Sequence, residues 1–328
     1  NGKAYNIEDF CYSSILKKNR EEIEYDKNMF NDLTDKALKL ISNAHIIHDE
    51  LEAYYIKALN THLDLSIEIL ADMLINSKFD DEEIAKEQGV VIEEINMSED
   101  MPEDVLDNNQ AKAIFGDNPL SYPILGTIDN IKSFNSNKIK KFVKSHYTPY
   151  NSVISVCGKF DEKELMKILQ ENFENWEGDK DYIPTYETPI LLNNSKYTNK
   201  QIEQVHINLS LKGLPYAHEK AYALVLLNNV FGGGASSILF QKVREELGLC
   251  YTIYSYGHPY LGVGINNIYT GVSKQSAEKA LDVINKELKK FVKEGISNEL
   301  LEINKEKIKA NYILGLESTS SRMFSGSV

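Results

Sequence analysis

The sequence predicts an α+β protein built from two related units, and three observations predict it. Long segments with apolar residues at helical spacing are interleaved with short apolar or alternating runs. That interleaving occurs twice along the chain, and a polar stretch bearing Pro184 and Pro189 separates the two occurrences. The expected organisation is a unit over 1–177, a linker over 178–200 and a second unit over 201–328.

Element by element, Asp32 to Ser42 has the pattern of a short amphipathic helix, with Leu33, Ala37, Leu38 and Leu40 on its inner side. Ala53 to Leu59, AYYIKAL, reads as a strand, and His62 to Asn76 as a long, well-buried helix. Phe79-Asp80-Asp81 is expected to cap a helix over Glu82–Met97, EEIAKEQGVVIEEINM, in which Ile84, Val91, Ile92 and Ile95 recur at helical spacing. Glu103 to Phe115 is a further helix, stopped by Gly116. Asn137 to Ser145 is a lysine-rich helix with a solvated face, Ser152 to Cys157 a buried strand, and Glu162 to Phe173 a helix. Beyond the linker, Val205–Leu211, Cys250–Gly257 and Gly262–Val272 read as strands. Ala217–Val230, Ser237–Glu246, Ser276–Glu294 and Asn298–Leu316 read as helices.

Composition narrows the function classes. The chain has 328 residues, 42% of them apolar, which is enough for a sizeable core. Its 36 basic and 49 acidic residues leave a formal charge of −13, which argues against a nucleic-acid binder or a basic membrane-surface protein. No apolar run approaches a membrane span, and the opening NGKAYNIEDF lacks the basic and apolar regions of a signal peptide. Cys11, Cys157 and Cys250 form no metal-binding or disulfide spacing, so they read as reduced thiols of a cytoplasmic protein.

Glu87 and Glu94 stand two turns apart on the Glu82–Met97 helix, so their carboxylates share a face. Such a pair suits metal ligation or acid–base work, and equally a solvated acidic face. Phe231–Ser237 is rich in glycine but lacks the Gly-Lys-Ser/Thr ending of a phosphate loop. His45 and His48 would share a face only if their segment were helical; in a strand they point to opposite sides. The other histidines, His62, His146, His206, His218 and His258, show no ligand spacing.

Six blocks in order carry a resemblance: YYIKALNTHLDLSIEILADMLINSKF, EEIAKEQGVVIEEI, FGDNPLSYPILGT, YTPYNSVISVCGKF, FGGGASSILFQKVREELGLCY and ILGLESTSSRMFS. With them the chain resembles the pitrilysin/insulinase family of zinc peptidases, closest to its processing-peptidase-like bacterial members. The resemblance implies two related domains, each a mostly antiparallel sheet packed with helices, which together form half of a clam-shell chamber. It implies zinc as cofactor, peptide or unfolded protein as substrate, and pairing with a related peptidase subunit. It also implies further helices and a strand after SSRMFS, so the second domain reads as truncated at Val328.

By position, the family's third zinc ligand falls on Glu94 and its assisting acidic residue on Glu87. Arg244 and Tyr251 match its R-x6-Y segment, which holds the substrate backbone. The family's HxxEH motif, two histidine ligands and a glutamate base, occurs nowhere in the chain. The nearest match in shape, Glu21 to Tyr25, would put Glu24 at the base position with both histidines replaced. A metal site made by His45, His48 and Glu94 is the competing assignment. The expected function is therefore the Arg/Tyr-bearing or degenerate subunit of a zinc metalloendopeptidase, enclosing unfolded peptides, with zinc absent from this chain. An active zinc endopeptidase and a non-catalytic scaffold are the alternatives.

Overall fold

The computed structural model describes residues 54–178 and 187–326. The expected Asp32–Ser42 helix, Glu24, His45 and His48 lie outside the described residues.

The first described segment is helical. Helix α1, Leu63–Ile75, buries two opposite stripes. Ile67 packs with Leu165 and Ile168, while Ile69 and Met73 pack with Ile84, Val91 and Ile95. The helix is thus held between α6, Glu162–Phe173, and α2, Asp81–Asp100. This accounts for its apolar residues on more than one side. Between α1 and α2, Phe79 takes a left-handed φ of 51° and buries its ring in the same core. Helix α2 contains the expected helix; its N-cap is Asp80, but that side chain makes no capping bond. Asp81 Oδ1 instead accepts from the Ser136 amide at 2.8 Å, tying α2 to the start of a later helix. Helix α3, Pro102–Phe115, starts on a proline, whose missing N–H costs nothing there, and ends at Gly116 with φ 61°. Helices α4, Ile128–Lys132, and α5, Ser136–His146, are capped by Thr127 and Asn135, and place Ile131 and Ile139 at zero exposure in the α1–α2 core.

Two expected strands have no partner among the described residues. Residues 54–59 and 152–157 pair with no backbone ladder among the described residues. Val153 and Ile154 of the supposedly buried strand are 71% and 48% exposed. A strand needs a hydrogen-bonding neighbour, and these segments meet side chains and helix ends instead. Ser155 Oγ donates to the Met323 carbonyl at 2.8 Å, and the Tyr55 ring meets Phe324 edge-on at 5.6 Å. Both partners belong to the last helix, α10, Thr319–Gly326.

The sheet lies in the second half. Strands β1, Gln204–Lys212, β2, Cys250–Pro259, and β3, Gly264–Ser273, run antiparallel in the order β1-β3-β2. Central β3 is buried along nearly its whole length. One sheet face, with Ile207, Ile253, Ile268 and Val272, packs on α7, Ala221–Gly232, and α8, Ala277–Glu294. The apolar α7 begins four residues later than its sequence pattern suggests, after the positive φ of Ala217. Helix α9, Asn298–Gly315, follows α8. The other sheet face meets α3: Ile114 and Phe115 join Val263 and Ile265 in one apolar cluster. The expected Ser237–Glu246 α-helix is a π-helical turn over Phe240–Glu246, widened by one residue per turn. The α+β class is borne out.

Candidate functional site

Three groups of residues bear on function: the α2 carboxylates, the pair Arg244–Tyr251, and a polar cluster between α3 and the sheet.

On α2, Glu87 sits in the buried stripe with Ile84, Val91 and Ile95 and is 6% exposed. Glu94 is half-buried, with its Oε2 atom sealed from solvent. The neighbouring Gln88 donates to the Ile131 and Phe134 carbonyls at 2.8 and 3.0 Å, so α2 is locked in rotation against α4. The two carboxylates are therefore held inward as the seven-residue spacing predicts. Among the described residues no group of three His, Cys, Asp or Glu side chains is placed to hold a metal ion. Two carboxylates from one helix fall short of the donor set that zinc takes, so the described residues alone do not fit the metal.

The described histidines serve other ends. His146 stacks on Phe142, centroids 3.9 Å apart, and burial pulls its pKa down. His206 Nδ1 lies 2.9 Å from the Tyr269 hydroxyl.

The structure brings Arg244 and Tyr251 together. The π-helical turn carries Arg244, and Gly248, at φ 58°, reverses the chain toward β2. In β2 the register advances two residues, Cys250 to Thr252, while β3 advances one, so Tyr251 is the extra residue of a β-bulge. A bulge redirects a side chain out of the regular alternation. Tyr251 is accordingly 75% exposed, and the Arg244 guanidinium lies over its ring at 4.7 Å and over Phe240 at 4.5 Å. The Arg244 Nε also lies 3.8 Å from Glu245 Oε1, so two rings and a carboxylate hold the partly exposed guanidinium in place. The adjacent Cys250 thiol is held above its ordinary pKa, chiefly by burial.

The third group was not singled out by sequence reasoning. Tyr269 donates to Glu103 Oε1 at 2.7 Å, and Asn208 Nδ2 donates to the Tyr256 hydroxyl at 2.9 Å. Gln110 of α3 donates to Ser210 at 2.8 Å and to Asn267, and accepts from Asn208. Desolvation raises the pKa of Tyr254, Tyr256 and Tyr269, with the carboxylates of Glu103 and Asp107 adding to it for Tyr254 and Tyr269. Asp107 is likewise raised, mainly by desolvation, with His258 opposing it. The signal in the sequence was the alternation Tyr254, Tyr256, His258 along a strand together with Glu103 and Asp107 one turn apart on a helix.

Comparison with known proteins places the whole. Residues 133–308 match the model described as the peptidase M16 inactive domain, and residues 24–128 match insulinase, peptidase family M16. The chain belongs to peptidase family M16. The uncharacterized zinc protease YmxG of Bacillus subtilis is 39% identical over 274 residues, covering 84% of this chain and 66% of that protein. An uncharacterized zinc protease of Rickettsia bellii is 32% identical over 280 residues, covering 85% and 67%. One from Streptomyces coelicolor is 31% identical, with 84% and 61% covered, so this M16 chain spans about two thirds of such relatives. Among solved structures, a protease from Helicobacter pylori superposes with a TM-score of 0.76 at 22% identity, covering 88% of this chain and 77% of that one. A chain of complex III2 from Candida albicans does so at 0.73 and 16%, covering 91% and 75%. At these identities the two structures share the fold.

Proposed function

We propose that this M16 chain binds extended peptides through Arg244 and Tyr251, as the degenerate or partner subunit of a zinc peptidase. The observation that carries the reading is the bulge that turns Tyr251 out of β2 and stacks it on Arg244. A guanidinium fork suits a peptide carbonyl, and a phenol beside it suits the same oxygen. On this reading a second subunit supplies the metal. On this reading the chain contributes two related domains, joined near 178–200, to a chamber closed by that partner.

The test is the affinity of the chain for a fluorescently labelled, unstructured peptide. Arg244→Ala should weaken binding about tenfold, the worth of one charge-assisted hydrogen bond. Arg244→Lys should not restore it, because an ammonium lacks the planar fork. Equal affinity in all three proteins overturns the reading.

A second reading, an active zinc peptidase in its own right, is favoured by the names of the relatives and by the inward Glu87 and Glu94. His45 and His48 would then be the added ligands of Glu94. Near-stoichiometric zinc in protein purified without chelators, lost on Glu94→Ala, would establish it. Zinc at background level in both proteins would eliminate it.

A further inference from the structure

The sequence holds four Asn-Ser dipeptides: Asn76-Ser77, Asn135-Ser136, Asn151-Ser152 and Asn194-Ser195. An asparagine side-chain amide is open to attack by the backbone nitrogen of the residue that follows it. Serine lacks the branched Cβ that would crowd that nitrogen. As dipeptides the four are chemically equal, and the fold separates them. Asn76 Nδ2 donates to Asp72 Oδ1 at 2.9 Å. Asn135 Oδ1 accepts from the Lys138 amide at 3.1 Å as the cap of α5, and Asp81 takes the Ser136 amide at 2.8 Å. Asn151 Nδ2 donates to the His146 carbonyl at 3.0 Å. In these three the side chain is held by a group other than its own serine amide.

Asn194 differs. The Ser195 amide donates to Asn194 Oδ1 at 2.8 Å, which folds the side-chain amide back onto the backbone nitrogen that would close a ring with it. Both residues are exposed, within the run 191–200 that forms neither helix nor strand. That run is anchored to α3 on either side of the pair. The Leu192 amide donates to the Ile114 carbonyl at 2.8 Å, and Thr198 Oγ1 accepts from Asn109 Nδ2 at 2.8 Å. Between the anchors, residues 193–197 make no backbone–backbone hydrogen bond among the described residues. The backbone there turns into ring geometry without breaking a ladder, and water reaches it freely.

We propose that Asn194 is a site of spontaneous deamidation, modified through the backbone nitrogen of Ser195. That nitrogen gives its proton to hydroxide and attacks the Asn194 Cγ, so that an N–Cγ bond forms. The Cγ–Nδ2 bond breaks, and the departing nitrogen takes a proton from water and leaves as ammonia. The product is a five-membered succinimide. Water then adds to one of its two ring carbonyls and opens it, giving aspartate or isoaspartate; nothing is oxidised or reduced. Either product adds one negative charge two residues before Lys196. Isoaspartate also adds one methylene to the backbone between the two anchors on α3. The site needs nothing from the Arg244–Tyr251 reading.

The test is peptide mapping by mass spectrometry after the folded chain has been incubated at physiological temperature and mildly alkaline pH. Asn194 should convert about tenfold faster, or more, than Asn76, Asn135 or Asn151. In denaturing urea the four rates should converge, because dipeptide chemistry alone then sets them. Ser195→Pro leaves no N–H to lose, so it should abolish conversion at Asn194. Equal rates at the four sites in the folded chain, or no conversion at Asn194, would overturn the proposal. So would a lead for Asn194 that survives in urea, which would place the cause in local sequence, or conversion that persists in Ser195→Pro, which would mean direct hydrolysis. The comparison among the four asparagines uses the parent chain alone and holds whatever the variant does.

Discussion

Single residues in this chain are constrained by what stands a few ångströms away. A Cβ at Gly232 would lie 2.4 Å from the Ser255 amide nitrogen and 2.5 Å from its Oγ, where α7 crosses β2. Backbone cannot yield as a flexible side chain can, so Gly232→Ala should cost about 2 kcal/mol or more, read from urea denaturation. Tyr269 offers a pH test. It is 4% exposed, donates to Glu103, and its pKa is raised by desolvation, then by that carboxylate. The folded state therefore keeps the phenolic proton more tightly than the unfolded chain. That contribution is fully present below the ordinary tyrosine value of 10.0 and is lost as pH rises above it. Denaturation midpoints measured from neutral to strongly alkaline pH should fall more steeply for the parent than for Tyr269→Phe.

At the scale of elements, caps and bulges separate what residue type predicts from what geometry delivers. Asp80 and Asp161 occupy equivalent N-cap positions, and residue type alone does not distinguish them. Asp161 Oδ1 accepts from the amides of Lys163 and Glu164 at 2.9 and 3.0 Å, whereas the Asp80 side chain caps nothing. Asp161→Ala should cost about 1 kcal/mol, and Asp80→Ala less than about 0.5 kcal/mol, by thermal or urea unfolding. The π-helical turn and the β2 bulge teach the same lesson. Helix and strand were legible there from apolar spacing, but one residue per turn and one residue per ladder are set by packing against β3 and α8.

At the scale of the molecule, α3 from the first half and the sheet from the second share a polar seam, continued by apolar Ile114, Phe115 and Ile265. Asn267 is 1% exposed and accepts from Gln110 and Ser210, and Gln110 accepts from Asn208, so removing Gln110 takes a bond from both asparagines. Gln110→Ala should destabilise by about 1–3 kcal/mol. It should raise amide exchange in α3 and β3 together, as expected if one seam holds both. Exchange rising in only one of the two would show that the seam does not couple them. The α+β class and nearly every helix were readable from periodicity, because most of these helices bury a stripe that repeats every three to four residues. Among the described residues, the strand assignments at 54–59 and 152–157 find no ladder partner, because a strand is defined by a neighbour and local sequence does not name the neighbour.

The sequence by itself determined which chemistry the chain carries: paired carboxylates on one helix, an Arg and a Tyr seven residues apart, and no HxxEH. Side-chain type, helical spacing and motif absence are local properties, and they need no third dimension. Tertiary structure decided how those groups are presented. It turned Tyr251 outward onto Arg244 and set Glu87 inside the core. It gathered Glu103 and Tyr269 from residues far apart in the chain. Packing density and hydrogen-bond satisfaction are properties of the assembled chain, so burial and partnership appear only once distant elements meet.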